Sequence, residues 1–444
     1  MMRLPNHPTV IAHRARREHR DVPTILDAAD LRERCLAAGA HDVGFVDLAN
    51  PAIDDQREII LAAFPRTKSL ISFVVRMNRE DVRTPARSVA NAEFHRTRDD
   101  VDVTARAIAA ALERAGVPAL NPPMAFPMEM ERFPGRTWIV SHKPVAVAAG
   151  LGKIGIHRNV IHPQFGNFIL LGTVLLGVPV SEYSSPLDYN PCLECKLCVA
   201  ACPTGAIEPD GTFNFGACYT HNYREFMSGF GDFVETIAES RNAQDYRRRV
   251  SLPETVSMWQ SLSYGANYKA AYCMSVCPAG EDVIGPFLES RGRFLADVVK
   301  PLQDKVETIY VTPGSDAASH VEKRFPHKRT KVVRSGLRVA GIASFLSGMP
   351  LIFQRHRAGS LHATYHLTFT GDGACDATVR IKDGKLDVWG GLIGTADLRI
   401  RADGQAWLGF LNRERALWRL LATRKIRVSG RLRLFAAFGR CFSN

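Results

Sequence analysis

The chain has 444 residues, 46% hydrophobic and 23% charged, with no low-complexity tract. That composition excludes a disordered or fibrous protein, and the length exceeds one ordinary domain. The net charge of +12 is unevenly placed: residues 331–444 hold 19 Lys and Arg against 7 Asp and Glu, while the rest of the chain holds 38 of each. The last quarter is therefore expected to be a separate basic module with an anionic partner, for which nucleic acid, acidic lipid headgroups or an anionic ligand would each serve.

In chain order, the early "HRARREHR" run (13–20) is followed by no apolar stretch, so it reads as a solvated start and not an export signal. "LRERCLAAG" (31–39) predicts a helix stopped by Gly39, and "DVGFVDL" (42–48) and "SLISFVVRM" (69–77) predict strands. "DDVDVTARAIAAALERAG" (99–116) places Val101, Ala105, Ile108 and Leu112 on one helical face. The Pro-rich 117–135 reads as irregular, and the polar, basic, aperiodic 312–335 as linker. The longest apolar runs, 167–180 and 339–353, are too short and too interrupted by Gly and Pro to span a bilayer.

Beyond the linker the pattern changes. "ATYHLTF" alternates, with Ala363, Tyr365, Leu367 and Phe369 facing one way, and His362 and His366 read as strand-surface residues. "ATVRIKDGKLDVW" predicts a hairpin turning at Asp383-Gly384, and "ADLRIRADG" a further strand. "GQAWLGFLNRERALWRLLATRK" reads as one amphipathic helix with Trp407, Phe410, Leu411, Leu417 and Leu421 inward; "KIRVSG" and "LRLFAAFGRCF" add a strand and a short helix. No nucleophile–base pair or ligand cluster occurs here, so this module is expected to bind and not to react.

Seven of the ten cysteines fall between 192 and 277, and such thiols need a reducing compartment; a cytoplasmic protein is expected. Cys192-x-x-Cys195-x-x-Cys198-x-x-x-Cys202-Pro203 has the bacterial ferredoxin spacing, in which three thiolates face one [4Fe–4S] core and the fourth serves another. A zinc site would use paired CxxC units with a longer insert. The second run, Cys273-x-x-x-Cys277-Pro278, lacks a cysteine where Ala270 stands. A reciprocal exchange gives Cys192, Cys195, Cys198 and Cys277 to the first cluster and Cys202, Cys218 and Cys273 to the second. For the second cluster a non-cysteine ligand such as His221, a water, or a [3Fe–4S] core remain open. An open iron would be a Lewis-acid site. Cys35 reads as a buried thiol.

The cysteines together with "AAGLGKIGIHRNVIHPQFGNFILLGTVL" (148–175) resemble the epoxyqueuosine reductase and reductive dehalogenase superfamily over about residues 25–290. The resemblance implies an N-terminal α/β region binding cobalamin, with Gly150, Gly152, Gly155 and His162 to Gly166 bordering the corrin, and two [4Fe–4S] clusters feeding it electrons. Gly150-x-Gly152-x-x-Gly155 also matches a dinucleotide fingerprint, but no helix follows and no acidic residue stands about 20 positions on, so no nicotinamide site is expected. The sequence departs from the reductases in lacking a carboxylate in "GRTWIVSHKPVAV"; Ser141, His142 and Lys143 are the polar substitutes, with His142 the candidate proton donor. The tail (360–442) looks like a sterol carrier protein domain, which implies a curved sheet around an apolar tunnel. Leu398, Ile400, Trp407, Leu411, Leu421, Phe435 and Phe438 are its candidate walls.

The expected architecture is an α/β (α+β) reductase-like domain (1–184), a ferredoxin-like double-cluster module (185–290), a linker (291–334) and an α+β sterol carrier protein-like domain (335–444). The expected function is an iron–sulfur oxidoreductase, with or without cobalamin, reducing a hydrophobic or lipid-like substrate presented by the tail. It would be fed by an external donor such as a ferredoxin, a flavodoxin or a reductase. A ferredoxin-type electron carrier tied to lipid metabolism and a tRNA epoxyqueuosine reductase are the alternatives. The absent carboxylate and the exchanged tail disfavour the latter, and with it a nucleic-acid partner.

Overall fold

The computed structural model describes residues 4–17, 23–124, 138–337 and 339–442. Part of the irregular 117–135 segment and the end of the early basic run lie outside them.

The N-terminal region places helix α1 (Ala28–Ala37), strand β1 (Asp42–Asp47), strand β2 (Ser69–Arg76), the long helix α2 (Arg87–Arg114), the two-residue strand β3 (Ala119–Leu120), helix α3 (His142–Ala148) and strand β4 (Ile169–Leu176) in chain order. The sheet order is β1-β2-β4-β3, every pair antiparallel. The apolar face of α2 covers it with Val101, Ala105, Ile108 and Leu112, all buried, and Cys35 of α1 is buried in the same core. Phe73 and Gly172 are register partners, and a Cβ on Gly172 would lie 2.1 Å from the Phe73 ring, so only glycine lets the ring cross the neighbouring strand.

The cysteine-rich region follows with short helices α4 (Leu197–Ala201) and α5 (Phe215–Asn222), an inserted pair α6 (Ser228–Ala238) and α7 (Leu252–Tyr264), and the single turn α8 (Tyr272–Ser275). The segment expected to be linker is folded. Strands β5 (Thr308–Val311) and β6 (Arg329–Val332) pair in parallel around helix α9 (Asp316–Arg324). Phe294, Val299, Leu302, Ile309, Val311 and Val321 share one core with Cys198, Cys202 and Tyr272. The stretch looked like linker because its polar groups are paired, not solvated. Lys328 is 5% exposed, and its Nζ donates to the carbonyls of Leu302 (3.2 Å) and Lys305 (2.7 Å) and to Glu307 (2.8 Å). Buried Arg224 donates to Asp232 (2.6 Å) and Glu254 (3.3 Å), and these carboxylates also take Arg334 and Lys331, so the insert is fastened to β6.

The C-terminal module contains helix α10 (Ile342–Ile352), one turn α11 (Arg355–Ala358), strands β7 (Ala363–Thr370), β8 (Cys375–Lys382), β9 (Lys385–Gly390) and β10 (Leu398–Asp403), helices α12 (Gly404–Leu411) and α13 (Leu417–Ala422), strand β11 (Ile426–Gly430) and helix α14 (Arg433–Arg440). The sheet order is β9-β8-β7-β10-β11, with only β7–β10 parallel. The hairpin turns at Asp383 (φ 52°) and Gly384 (φ 66°), the left-handed pair a two-residue turn requires. The single amphipathic helix is two: Arg413 takes φ 62° between α12 and α13, and the phase shifts so that Leu420 is buried and Leu421 is 39% exposed. Leu421 is therefore no tunnel wall. Leu398, Ile400, Trp407 and Phe438 are buried in the module's core, with Leu411 and Phe435 packed against it. His366 is buried, not strand-surface, because the loop after β9 folds over it and its ring reaches the Ile393 carbonyl at 3.1 Å. His362 stays exposed and pairs with Asp383 at 2.9 Å.

Among the described residues no helix is long and apolar enough to cross a membrane. Ile309 is fully buried in the cysteine module. Truncation to alanine is expected to lower the stability of the cysteine module by about 2–5 kcal/mol, the usual range for such a cavity. Denaturant unfolding of the whole chain, read by circular dichroism and cysteine accessibility together, checks this; a solvated linker would show no loss.

Candidate metal centre

Two chain segments of the same local design meet. Lys196 (φ 61°) precedes α4, whose second residue is Cys198, and Ala271 (φ 57°) precedes α8, whose second residue is Cys273. Each short helix ends just before a Cys-Pro step, at Cys202 and Cys277, and the two helices pack together. Laying the second segment on the first by matching Cys273 to Cys198 sets Ala270 on Cys195 and Asn267 on Cys192.

The seven thiols lie close together: Cys195, Cys198, Cys202, Cys218 and Cys273 share one apolar cluster, and Cys192 and Cys277 a second. Cys277 packs with Cys192 around Ile161. Burial pushes the Cys277 thiol up to about 12, the Ala279 N–H hydrogen bond works against this, and Cys195 and Cys192 add to the rise. Cys198 is raised by burial and then by Cys273, Cys277 and Cys195. Burial also raises Cys218, with Cys202 and Cys273 beside it, and lifts Cys273 to about 12, with Cys202 beside it. All seven are free thiols. The Ala206 N–H donates to Cys202 Sγ at 3.3 Å, and backbone N–H groups reach Cys195, Cys198, Cys273 and Cys277, which favours the thiolate form. Seven crowded cysteines, three buried and four half-buried, several with amide donors, suit iron–sulfur cores, which take thiolates outright. Among the described residues no three His, Cys, Asp or Glu side chains converge tightly enough for a single ion; a cubane spreads its thiolates across a cage and does not ask for that.

At the gap, Ala270 is buried and its N–H donates to Asn222 Oδ1 at 3.0 Å. His221, the candidate fourth ligand, uses one ring nitrogen: Nδ1 accepts from the Tyr310 N–H at 3.3 Å and the rings stack, while Nε2 is buried with no hydrogen-bond partner among the described residues. Tyr223 and Lys143 are among the groups that feel the charge of the three-thiol set, as does Arg87. Burial raises the Tyr223 hydroxyl, and Cys218, Tyr268 and Cys273 add to it. Burial lowers the Lys143 ammonium against the opposing pull of Cys273 and Cys218, and its Nζ donates to the Arg158 carbonyl at 2.7 Å. Tyr223 carries no local signal; its place at the end of α5, the helix that bears Cys218, is the hint the chain offers.

His142 is not placed to donate a proton to a substrate. Its Nε2–H donates to the Met124 carbonyl (3.0 Å), so Nδ1 accepts from the Thr173 hydroxyl (2.8 Å), and burial pushes its pKa down to about 4. The glycine stretch also serves the protein itself. A Cβ on Gly150 would meet Ser185 O at 2.5 Å, on Gly152 Ile161 O at 2.4 Å, on Gly155 the Ile161 side chain at 2.6 Å, and on Gly166 Ala279 O at 2.0 Å. Gly166 and Gly280 thus press the 162–166 loop onto the backbone just after Cys277, where the Glu281 N–H donates to Pro163 O at 2.9 Å. His162 braces that loop: Nδ1 accepts from the Gln164 N–H (3.1 Å) and Nε2 donates to Asp42 (3.0 Å). Burial works to raise the Asp42 carboxyl, but the hydrogen bonds from His162 and the Val43 N–H, with Arg32 beside it, hold it below the usual range. The side of each glycine that a Cβ would occupy is thus filled by the chain itself.

A 4Fe-4S binding domain model matches residues 186–208, and the SCP-2 sterol transfer family model matches residues 354–443. The epoxyqueuosine reductase of Staphylococcus aureus is 37% identical over 82 residues, 18% of this chain and 21% of that protein; that of Lactococcus garvieae is 25% identical over 143 residues, 32% and 33%. The chain thus matches between a fifth and a third of the length of these relatives. The solved epoxyqueuosine reductase of Streptococcus thermophilus aligns with 61% of this chain and 75% of its own at 17% identity and a TM-score of 0.34, a likeness too slight to bear on mechanism. The chain carries a 4Fe–4S binding domain and an SCP-2 domain, with similarity to epoxyqueuosine reductases.

Replacing Ala270 by Cys is expected to supply the fourth thiolate of the second set. Mössbauer spectra of anaerobically prepared protein should then change from a core with one distinct iron, or three irons, to two four-thiolate cores; identical spectra for both proteins would count against the three-thiol assignment. Burial also holds His157 and His221, like His142, down at about 4 from 6.5. Unfolding restores their ordinary basicity, so the unfolded chain binds more protons than the folded one between those values. Stability from these groups is full above about pH 6.5 and lost as pH falls toward about 4. Urea midpoints across that interval check this, and H142Q should flatten the slope by roughly a third.

Proposed function

We propose that the chain is an iron–sulfur oxidoreductase that reduces a hydrophobic, lipid-like compound presented by its C-terminal module, drawing single electrons from an external carrier protein. The observation that carries this reading is the gathering of seven thiols from two distant runs, which supports an exchange of Cys202 and Cys277 between two adjoining sets. Bound iron–sulfur cores would supply one-electron transfer there. The chain supplies the thiolates, the amide donors that stabilise them, and a second set one cysteine short. Beside that set, the Lys143 ammonium would offset negative charge building on a reduced compound, and Tyr223 Oη would hold a proton for it. The SCP-2 domain supports an apolar ligand, and covalent linkage would raise that ligand's local concentration. The glycines that would border a corrin press on the chain's own backbone, so no step is assigned to cobalamin. Epoxyqueuosine reduction is not assigned either, since the stretch aligned with those enzymes is short.

One observation favours a second reading, a plain electron carrier: His142, the one acid–base group the sequence offered in place of a carboxylate, has both ring nitrogens engaged. Anaerobic purification separates these readings. The oxidoreductase reading expects brown protein with about seven or eight irons per chain and matching sulfide, and an apolar ligand found by mass spectrometry of the whole protein. Zinc, or iron for one core only, would overturn both readings. Full iron with no apolar ligand, and no loss of turnover with an apolar acceptor in K143M or Y223F, would leave the carrier. Retention of an added corrinoid on gel filtration, with a changed visible spectrum, would reverse the reading of the glycines.

A further inference from the structure

The five-stranded sheet of the C-terminal module buries one face: Tyr365, Leu367, Val379, Ile381, Leu398 and Ile400 point into the core. On the opposite face Arg401 of β10 stands directly across from Arg427 of β11, and Arg399, two residues earlier, is the register neighbour of His366. All three arginines are exposed, and none has a hydrogen-bond or ion-pair partner among the described residues. The carboxylates nearby do not answer them. Asp387 is held by Arg380 at 2.9 Å, Asp397 by Arg431 at 3.6 Å, and Asp376 lies beyond Thr368 on β8. Like charges directly opposed on paired strands work against folding, so this face carries a cost that an external anion would relieve.

The loop after β9 crosses the same face. Thr378 Oγ1 donates to the Gly391 carbonyl (2.8 Å) and accepts from the Ile393 N–H (2.8 Å), while His366 Nε2–H donates to the Ile393 carbonyl (3.1 Å). Thr378 and His366 lie beneath it, 2% and 6% exposed, and above them Leu392 and Ile393 are 49% and 54% exposed. Two buried polar side chains thus fix a loop whose effect is to hold two aliphatic side chains in water beside three unpaired arginines.

We propose that this face docks the protein on an anionic lipid bilayer, Leu392 and Ile393 entering the boundary between headgroups and acyl chains while Arg399, Arg401 and Arg427 bind lipid phosphates. A phosphodiester backbone would use the arginines but has no place for the aliphatic pair, which favours lipid over nucleic acid. The module's surplus of 19 basic over 7 acidic residues, against 38 of each elsewhere, gives the molecule one cationic end. Docking goes beyond the redox reading and stands apart from it.

The test is flotation of the whole chain with vesicles of phosphatidylcholine alone and with about 30% phosphatidylglycerol. The wild type is expected to prefer the anionic vesicles by about tenfold or more at about 0.1 M salt and to lose that preference as salt rises. Each basic residue near such a surface is worth about fivefold, so R399Q/R401Q/R427Q should weaken binding about a hundredfold, with R401Q alone giving about fivefold. L392S/I393S should keep the salt-sensitive part and bind about tenfold more weakly. Circular dichroism and iron content matching the wild type show that the variants fold. Equal binding to both vesicles, or a triple variant that floats like the wild type, would overturn the proposal. So would a duplex oligonucleotide that binds the wild type and not the triple variant while vesicles are ignored, which would assign the face to nucleic acid.

Discussion

The structure depends on one exchange. Cys202 and Cys277 each stand before a proline just after a short helix, and in the proposed exchange each serves the other run's set. Neither set can be complete alone, so the two runs must be held in register although the α6–α7 insert lies between them. Much of the surrounding architecture does that holding. Gly166 and Gly280 allow the 162–166 loop to lie backbone to backbone on the second run. Ser275 Oγ donates to the Val82 carbonyl at 2.7 Å, and buried Arg87 lies over the Tyr272 ring. The N-terminal sheet, in this light, is the frame against which two loops are aligned to the tolerance a rigid inorganic core demands.

The C-terminal module is not hung on a tether. Asp316 at the start of α9 accepts from the backbone N–H groups of His356 (2.9 Å) and Arg357 (3.0 Å), and its own N–H donates to Gln354 (2.9 Å). Arg355 pairs with Asp210 at 2.6 Å, and His356 with Glu208 at 2.7 Å. Helix α10 lies on α5, with the backbone of Leu351 and Ile352 against Gly216, two residues from Cys218. A shape change at the first helix of the C-terminal module would therefore press on the helix bearing a candidate cluster ligand.

What was legible from the sequence was whatever local spacing determines. The faces of α2 and β7 follow from side-chain period, and the turn at Asp383-Gly384 from an Asp-Gly pair, whose residues accept the left-handed dihedrals observed. What was not legible depends on partners distant in the chain. Lys328 looked solvated because its acceptors lie more than a turn away, in another element. His366 looked exposed because its cover comes from a loop after the next two strands. Leu421 was misplaced by one left-handed residue, Arg413, which no periodicity reveals. His142 drew attention for standing where a carboxylate was missing, while Lys143, one residue on, and Tyr223, at the end of another helix, are groups that feel the charge of the thiols.

The crossing of ligands also has a temporal side. The first three cysteines leave the ribosome well before Cys277, and the helices of the insert must be made in between. In that exchange a nascent chain offers its early thiols without the partner that closes their cage, and the first core could not be finished until Cys277 has been made. Loading of that core with iron would then be a late event in the life of this polypeptide, set by the order of translation as much as by affinity.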